Sequence, residues 1–234
     1  MRRFFQNLLY MFFPRRCLYC DRVVEPEELC CRYCLPDVPY MKDPVCYRCG
    51  RSRSDCVCRG HRRQFDRCIA ALRYEDGAAR AVLALKHTDD AVMIDSMATE
   101  MVRALRSHTD AASFDIVTFV PMHKQEERAR TYNQSKLLAR AVASKLCVPF
   151  VCTLTKLYDT QPQKALRQFE RSGNLLGVFD LLVGVDGKNI LLVDDVITTG
   201  ATLHECAKML KIGGAQSVTA LVFAGAVLKD EKPD

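Results

Sequence analysis

The sequence predicts an α/β protein: a mainly parallel sheet with helices on both faces, preceded by a small cysteine-rich module. Three observations carry this. From residue 67 onward, short apolar runs alternate with stretches of helical period, the pattern of strands joined by crossover helices. One run, Ile190-Leu191-Leu192-Val193, is apolar without interruption and is followed at once by Asp194 and Asp195, as fits a strand covered on both faces that ends in two carboxylates. Nine of the thirteen cysteines fall between Cys17 and Cys58, far too dense for an ordinary sheet domain. At 234 residues the chain has room for one ordinary domain plus something smaller. Three parts are expected: a short amphipathic segment (1–14), a Cys-rich zinc-binding module (15–66) and the α/β domain (67–234).

Composition narrows the class. A hydrophobic content of 49% indicates an ordered globular chain, and no apolar run is long enough to span a bilayer. The net charge of +6 is uneven: residues 1–73 carry 15 Lys/Arg against 8 Asp/Glu, the remainder 19 against 20. The basic character therefore belongs to the cysteine-rich end. It fits a polyanionic partner and, equally, a solvated basic surface. The first residues, with Arg2, Arg3, Phe4, Phe5, Leu8, Leu9, Phe12 and Phe13, mimic a signal peptide. They lack a small-residue cleavage site, and Pro14-Arg15-Arg16 ends the run early. A short amphipathic helix docked on the protein is preferred to a membrane-surface anchor, and a cytoplasmic location is expected.

In the cysteine-rich part, Cys17-x-x-Cys20 is followed by Cys31-x-x-Cys34, and Cys46-x-x-Cys49 by Cys56-x-Cys58. Thiolates so spaced close on tetrahedral zinc, and eight of them serve one or two ions. Without an export signal the compartment should be reducing, which disfavours a disulfide framework. Spacing leaves the pairing open, sequential or crossed, and leaves open whether His61 replaces one of the last two cysteines.

The elements of the larger domain follow in order. Cys68 to Tyr74 reads as a strand, and Glu75-Asp76-Gly77 turns it into a helix bearing Ala81, Leu83 and Ala84, with Lys86 near its end. A second helix covers 91–107, its Met93, Ile94, Met97, Met101, Val102 and Leu105 forming a core stripe. Ile116 to Val120 is a strand that runs into a basic loop with Lys124, Arg128 and Arg130, then a helix through Leu137, Leu138, Ala141 and Val142. Such a loop gathers positive charge at the sheet edge, as pyrophosphate requires. Residues 153–180 read as a long polar connection able to close over a ligand. Gly213-Gly214 stops the last helix, and Val218 to Phe223 is the final strand.

The turn after Val193 states the chemistry. Thr198, Thr199, Gly200, Ala201 and Thr202 form a small-residue loop ahead of a helix with Leu203, Ala207, Met209, Leu210 and Ile212. Free amides and the positive end of the helix dipole suit a phosphate. Gly200 allows close backbone approach, and the adjacent acids suit sugar hydroxyls or a hydrated magnesium ion. A ribose 5-phosphate has both groups. A P-loop would need Lys before Thr202, where the chain has Ala201.

Residues 190–202 resemble the phosphoribosyl-pyrophosphate (PRPP) loop of type I phosphoribosyltransferases. Over nearly its whole length the chain resembles the ComF family of competence-associated proteins: the apolar start, the cysteine pairs, Lys86, Val120-Pro121, Asn133-Gln134, the Gln161 to Asn174 stretch and the PRPP loop. It departs at Arg130-Thr131-Tyr132, where the family has Arg-Gly-Phe. The resemblance implies a type I phosphoribosyltransferase fold with an N-terminal zinc module and a link to bacterial DNA uptake. On that basis Asp194 and Asp195 are expected to hold the ribose of magnesium-bound PRPP. Residues 198–202 would hold the 5-phosphate, and Lys124, Arg128, Arg130 and Lys86 would face the pyrophosphate. The alternative is a non-catalytic competence factor that binds single-stranded DNA and whose nucleotide pocket is regulatory. DNA-uptake machinery is the expected partner in both.

Overall fold

The computed structural model describes residues 14–25, 28–56, 58, 62–87, 89–110, 113–157 and 178–226. The expected N-terminal helix, apart from Pro14, lies outside these residues, as do His61 and the connection from Thr160 to Asn174. Among the described residues no helix is long and apolar enough to cross a membrane.

Four strands form one parallel sheet in the order β1 (Arg67–Arg73), β6 (Ser217–Gly225), β5 (Asn189–Ile197), β2 (Ile116–Phe119). All four are apolar enough to be covered twice, and they are. On one face lie α1 (Asp76–Leu85), α2 (Ala91–His108) and α4 (Gln134–Leu146), together with Cys17, Leu18 and Tyr19 of the cysteine-rich segment. On the other lies α5 (Ala201–Ile212), with Phe65 and the antiparallel pair of β3 (Leu154–Lys156) and β4 (Phe179–Leu181). The methionine stripe is core, with Met97 and Met101 fully buried. In α1 the buried face is Ala78, Ala81, Val82 and Leu85. Leu83 and Ala84, expected on that face, are exposed, because the buried stripe follows the i, i+3, i+4, i+7 spacing from Ala78 and residues two apart, such as Ala81 and Leu83, cannot share a helix face. Ile212, the last apolar residue of the α5 stretch, is exposed too.

Two features of this sheet place the site. The helix after β2 packs on one face and the helix after β5 on the other, so the connections leaving these neighbouring strands run to opposite faces. In open α/β sheets such a switch point opens a crevice. Moreover β5 outruns β2: its pairing with β2 ends at Val193, whereas its pairing with β6 continues to Ile197.

Candidate functional site

Asp194 and Asp195 lie in the overhang of β5, near the C-terminal end of the strand as the sequence suggested and just beyond the last β2 pair. Extended pairing with β6 stiffens the backbone that carries them. The Ser135 hydroxyl donates to Asp194 Oδ1 at 2.6 Å, and the Asp195 N–H donates to the same oxygen at 3.0 Å. Asp195 Oδ1 accepts from the Val196 N–H at 2.7 Å. Both side chains are half-buried, and neither forms an ion pair among the described residues. Burial, reinforced by the neighbouring Asp195 carboxylate, pushes the Asp194 carboxyl well above its ordinary value. Burial raises Asp195 as well, offset in part by the Val196 N–H and the charge of Lys86. Two oriented carboxylates with little countercharge form an acceptor site for hydroxyls or for developing positive charge.

The next residues form the anion side. Thr198 and Thr199 are exposed, Gly200 adopts the left-handed conformation (φ 76°), and α5 begins at Ala201. A Cβ at Gly200 would meet Ile197 Cδ1 at 3.1 Å, so both backbone angle and space call for glycine. Ala201 and Thr202, expected in the loop, form the first helical turn, where amides have no intrahelical acceptor in any case. Thr199 Oγ1 accepts from the Ala201 N–H at 3.4 Å.

Two arginines that sequence reasoning missed reach this loop from the cysteine-rich segment. Arg51, only 2% exposed, donates through Nε to the Ala226 carbonyl at 2.5 Å, and through Nη2 to the carbonyls of Ile197 (3.4 Å) and Thr198. Arg63 Nη2 donates to the Thr199 carbonyl at 2.5 Å. Neither stands in a motif, and only folding brings them against partners 146 and 136 residues away in the chain. Ser135 was missed for the same reason.

The segment after β2 is organised differently from the expected loop. Lys124, Arg128 and Arg130 lie on a short helix, α3 (Lys124–Arg130), capped by His123, and all three are exposed. Lys124 and Arg128, with Glu127 and Thr131, line a cleft of about 380 Å³. Among the described residues no hydrogen bond or ion pair joins the three cations to the acid pair; Lys86 acts on Asp195 electrostatically. Thr131, in place of the family's glycine, has φ 73°, a conformation strained for a β-branched residue. The position still demands what glycine gives freely. Asn133 then ties β2 to α4: its Nδ2 donates to the Val120 carbonyl (3.2 Å) and its Oδ1 caps the Lys136 N–H (3.1 Å). That bond pair sets Ser135 against Asp194. Gln134 beside it is 2% exposed, its Nε2 without a partner among the described residues.

The eight cysteines gather sequentially, not crossed: Cys17, Cys20, Cys31 and Cys34 in one group, Cys46, Cys49, Cys56 and Cys58 in the other. Within each group the sulfurs lie within 4.8 Å of one another, and the Cys20 and Cys31 sulfurs are 3.6 Å apart. A zinc ion with bonds of about 2.3 Å needs sulfurs roughly 3.8 Å apart. Both groups therefore fit structural zinc. Each already favours one thiolate: against the effect of burial, hydrogen bonds from backbone and neighbouring cysteines bring Cys31 and Cys56 down to about 7.

Parallel sheet, switch-point crevice and paired thiolate sites fit a phosphoribosyltransferase-like fold carrying a double zinc ribbon. Comparison agrees: residues 133–234 match the phosphoribosyl transferase domain family and residues 8–69 the double zinc ribbon domain family. The chain is 29% identical over 206 residues to the DNA utilization protein YhgH of Salmonella typhimurium, covering 86% of each chain. It is 27% identical over 233 residues to competence protein ComFC of Bacillus subtilis, covering 88% of this chain and 93% of that one. The ComF resemblance is borne out, and the chain is a homologue of these competence and DNA-utilization proteins. Among solved structures it is similar to a purine phosphoribosyltransferase from Pyrococcus horikoshii (16% identity, 60% of this chain and 78% of that one, TM-score 0.38).

Proposed function

We propose that the chain binds PRPP, or a nucleotide carrying ribose 5-phosphate, at Asp194–Thr202, and that it acts in DNA uptake. The observation that supports this most is the juxtaposition at the end of β5: two carboxylates short of countercharge, followed directly by a glycine-shaped loop and a helix start. In this reading Asp194 and Asp195 accept from the ribose 2- and 3-hydroxyls, and the amides of residues 198–202 hold the 5-phosphate. Lys86 stands beside Asp195, and the exposed Lys124, Arg128 and Arg130 meet the pyrophosphate as the ligand enters. A magnesium ion carried on the pyrophosphate would neutralise part of its charge. If transfer occurs, the ribose carries positive charge as the C1–O bond breaks, and the acid pair favours that charge. Positioning and electrostatics suffice, and no side chain acts as nucleophile. The ribbon at 15–66 serves as the frame on which the domain at 67–234 is set.

Titration calorimetry with magnesium and PRPP tests the reading. The Asp194→Asn/Asp195→Asn double variant should lose binding while remaining folded. Unchanged affinity would refute the site.

A second reading is favoured by one observation. On the basic ribbon, Tyr33 is 59% exposed with the guanidinium groups of Arg22 and Arg32 at 4.9 and 4.8 Å from its ring, and Arg67 lies 5.2 Å from the half-exposed Tyr47. Exposed aromatic faces beside cations suit single-stranded DNA. Such binding should weaken steeply with salt and survive the Asp changes. The two readings are compatible, one on each part of the chain.

A further inference from the structure

The second cysteine site and the phosphate loop are joined by side chains, and the geometry gives that junction a purpose. Cys46 to Ser52 form a tight hairpin: the Cys46 N–H donates to the Arg51 carbonyl at 2.7 Å and the Gly50 N–H to the Cys46 carbonyl at 2.8 Å. Gly50 (φ 72°) lies so close to β1 that a Cβ there would stand 2.9 Å from the Ala70 nitrogen. The hairpin is therefore pinned to the sheet, and Arg51 projects from it beneath the loop.

A trans peptide is planar, with its carbonyl and its N–H pointing in opposite directions. Holding the Thr198 carbonyl therefore aims the Thr199 N–H the other way. Holding the Thr199 carbonyl does the same for the Gly200 N–H. Arg51 takes the first carbonyl and Arg63 the second. Two consecutive peptides of the loop are thus turned with carbonyls toward the cysteine-rich segment and amides away from it.

We propose that Arg51 and Arg63 are positioning residues for anion binding, and that the Cys46/Cys49/Cys56/Cys58 knuckle is the clamp that holds Arg51 in place. This rests on residues 198–202 being the phosphate loop. The consequence is a link between parts: whatever frees the knuckle, such as loss of its metal, frees the loop amides and weakens PRPP binding at a distance.

The test uses the full chain. Arg63 is partly exposed, so Arg63→Ala should fold normally, keep its zinc content, and bind magnesium-PRPP about tenfold more weakly, the loss of one charge-assisted hydrogen bond. Arg63→Lys should recover most of that affinity, since a lysine still donates. Without ligand, the backbone NMR order parameter of the Gly200 amide should fall in Arg63→Ala and that of the Thr199 amide in Arg51→Met, while those of the α4 amides stay at the wild-type value. Wild-type binding with Arg63→Ala within twofold of it, or loop order parameters unchanged in both variants, overturns the clamp. Absence of PRPP binding in the wild type overturns the phosphate-loop reading and the clamp with it, and is recognised because the failure then precedes any substitution.

Discussion

Asp194→Asn should make the protein more stable at neutral pH while removing ligand binding. Asparagine keeps both hydrogen bonds of Asp194, because its Oδ1 still accepts from Ser135 and from the Asp195 N–H. What it removes is a desolvated negative charge next to another. A carboxyl raised in the folded state binds its proton more tightly there than in the unfolded chain. Stability is then lost as pH rises from the ordinary carboxyl value of 3.8 toward the raised one, and the deficit is complete above it. The variant escapes that deficit. Relief of a strained functional charge is worth about 1–2 kcal/mol, and a chain of this size gains roughly 2–4 °C in Tm per kcal/mol. The expected rise is therefore roughly 2–8 °C at pH 7.5, shrinking to nothing below about pH 4. Thermal unfolding followed by circular dichroism over that range measures it. A fall in Tm at pH 7.5, or a difference independent of pH, would show that the charge is compensated and the account of the acid pair mistaken.

Further outcomes follow from single positions. Thr131→Gly should stabilise the protein by about 1 kcal/mol, because a β-branched residue is released from a left-handed angle; denaturant unfolding checks this. Gly200→Ala should cost about 1–2 kcal/mol in stability and also weaken PRPP binding, since a methyl group crowds Ile197 and distorts the loop; unfolding and calorimetry read the two effects separately. Purified protein should carry two zinc ions per chain. Cys46→Ser should carry one and unfold at lower temperature, as metal binding contributes folding free energy; metal analysis beside a melt decides.

Much of this fold was legible in the residues because local rules agreed with the global arrangement. The uninterrupted apolar run of β5, the methionine stripe of α2 and the Gly213-Gly214 stop are local signals, and each matches its element. The cysteine groups were legible as chemistry but not as pairing, since spacing sets which thiols can share an ion and only the fold decides which do. The basic segment was misread as a loop because Lys124 to Arg130 carries no apolar face. A seven-residue helix on the surface needs none. Ser135, Arg51 and Arg63 were invisible for a deeper reason. Their significance lies wholly in contacts across 59 to 147 residues, and no sequence periodicity encodes such a contact.

The central claim is that the end of β5 grips a phosphorylated ribose, and diffraction from crystals soaked with magnesium and a non-hydrolysable PRPP analogue measures it most directly. The account predicts the 5-phosphate on the amides of Thr198 to Thr202 and the ribose hydroxyls on Asp194 and Asp195. An analogue seated on the zinc ribbon, with the carboxylates facing only water, would contradict it.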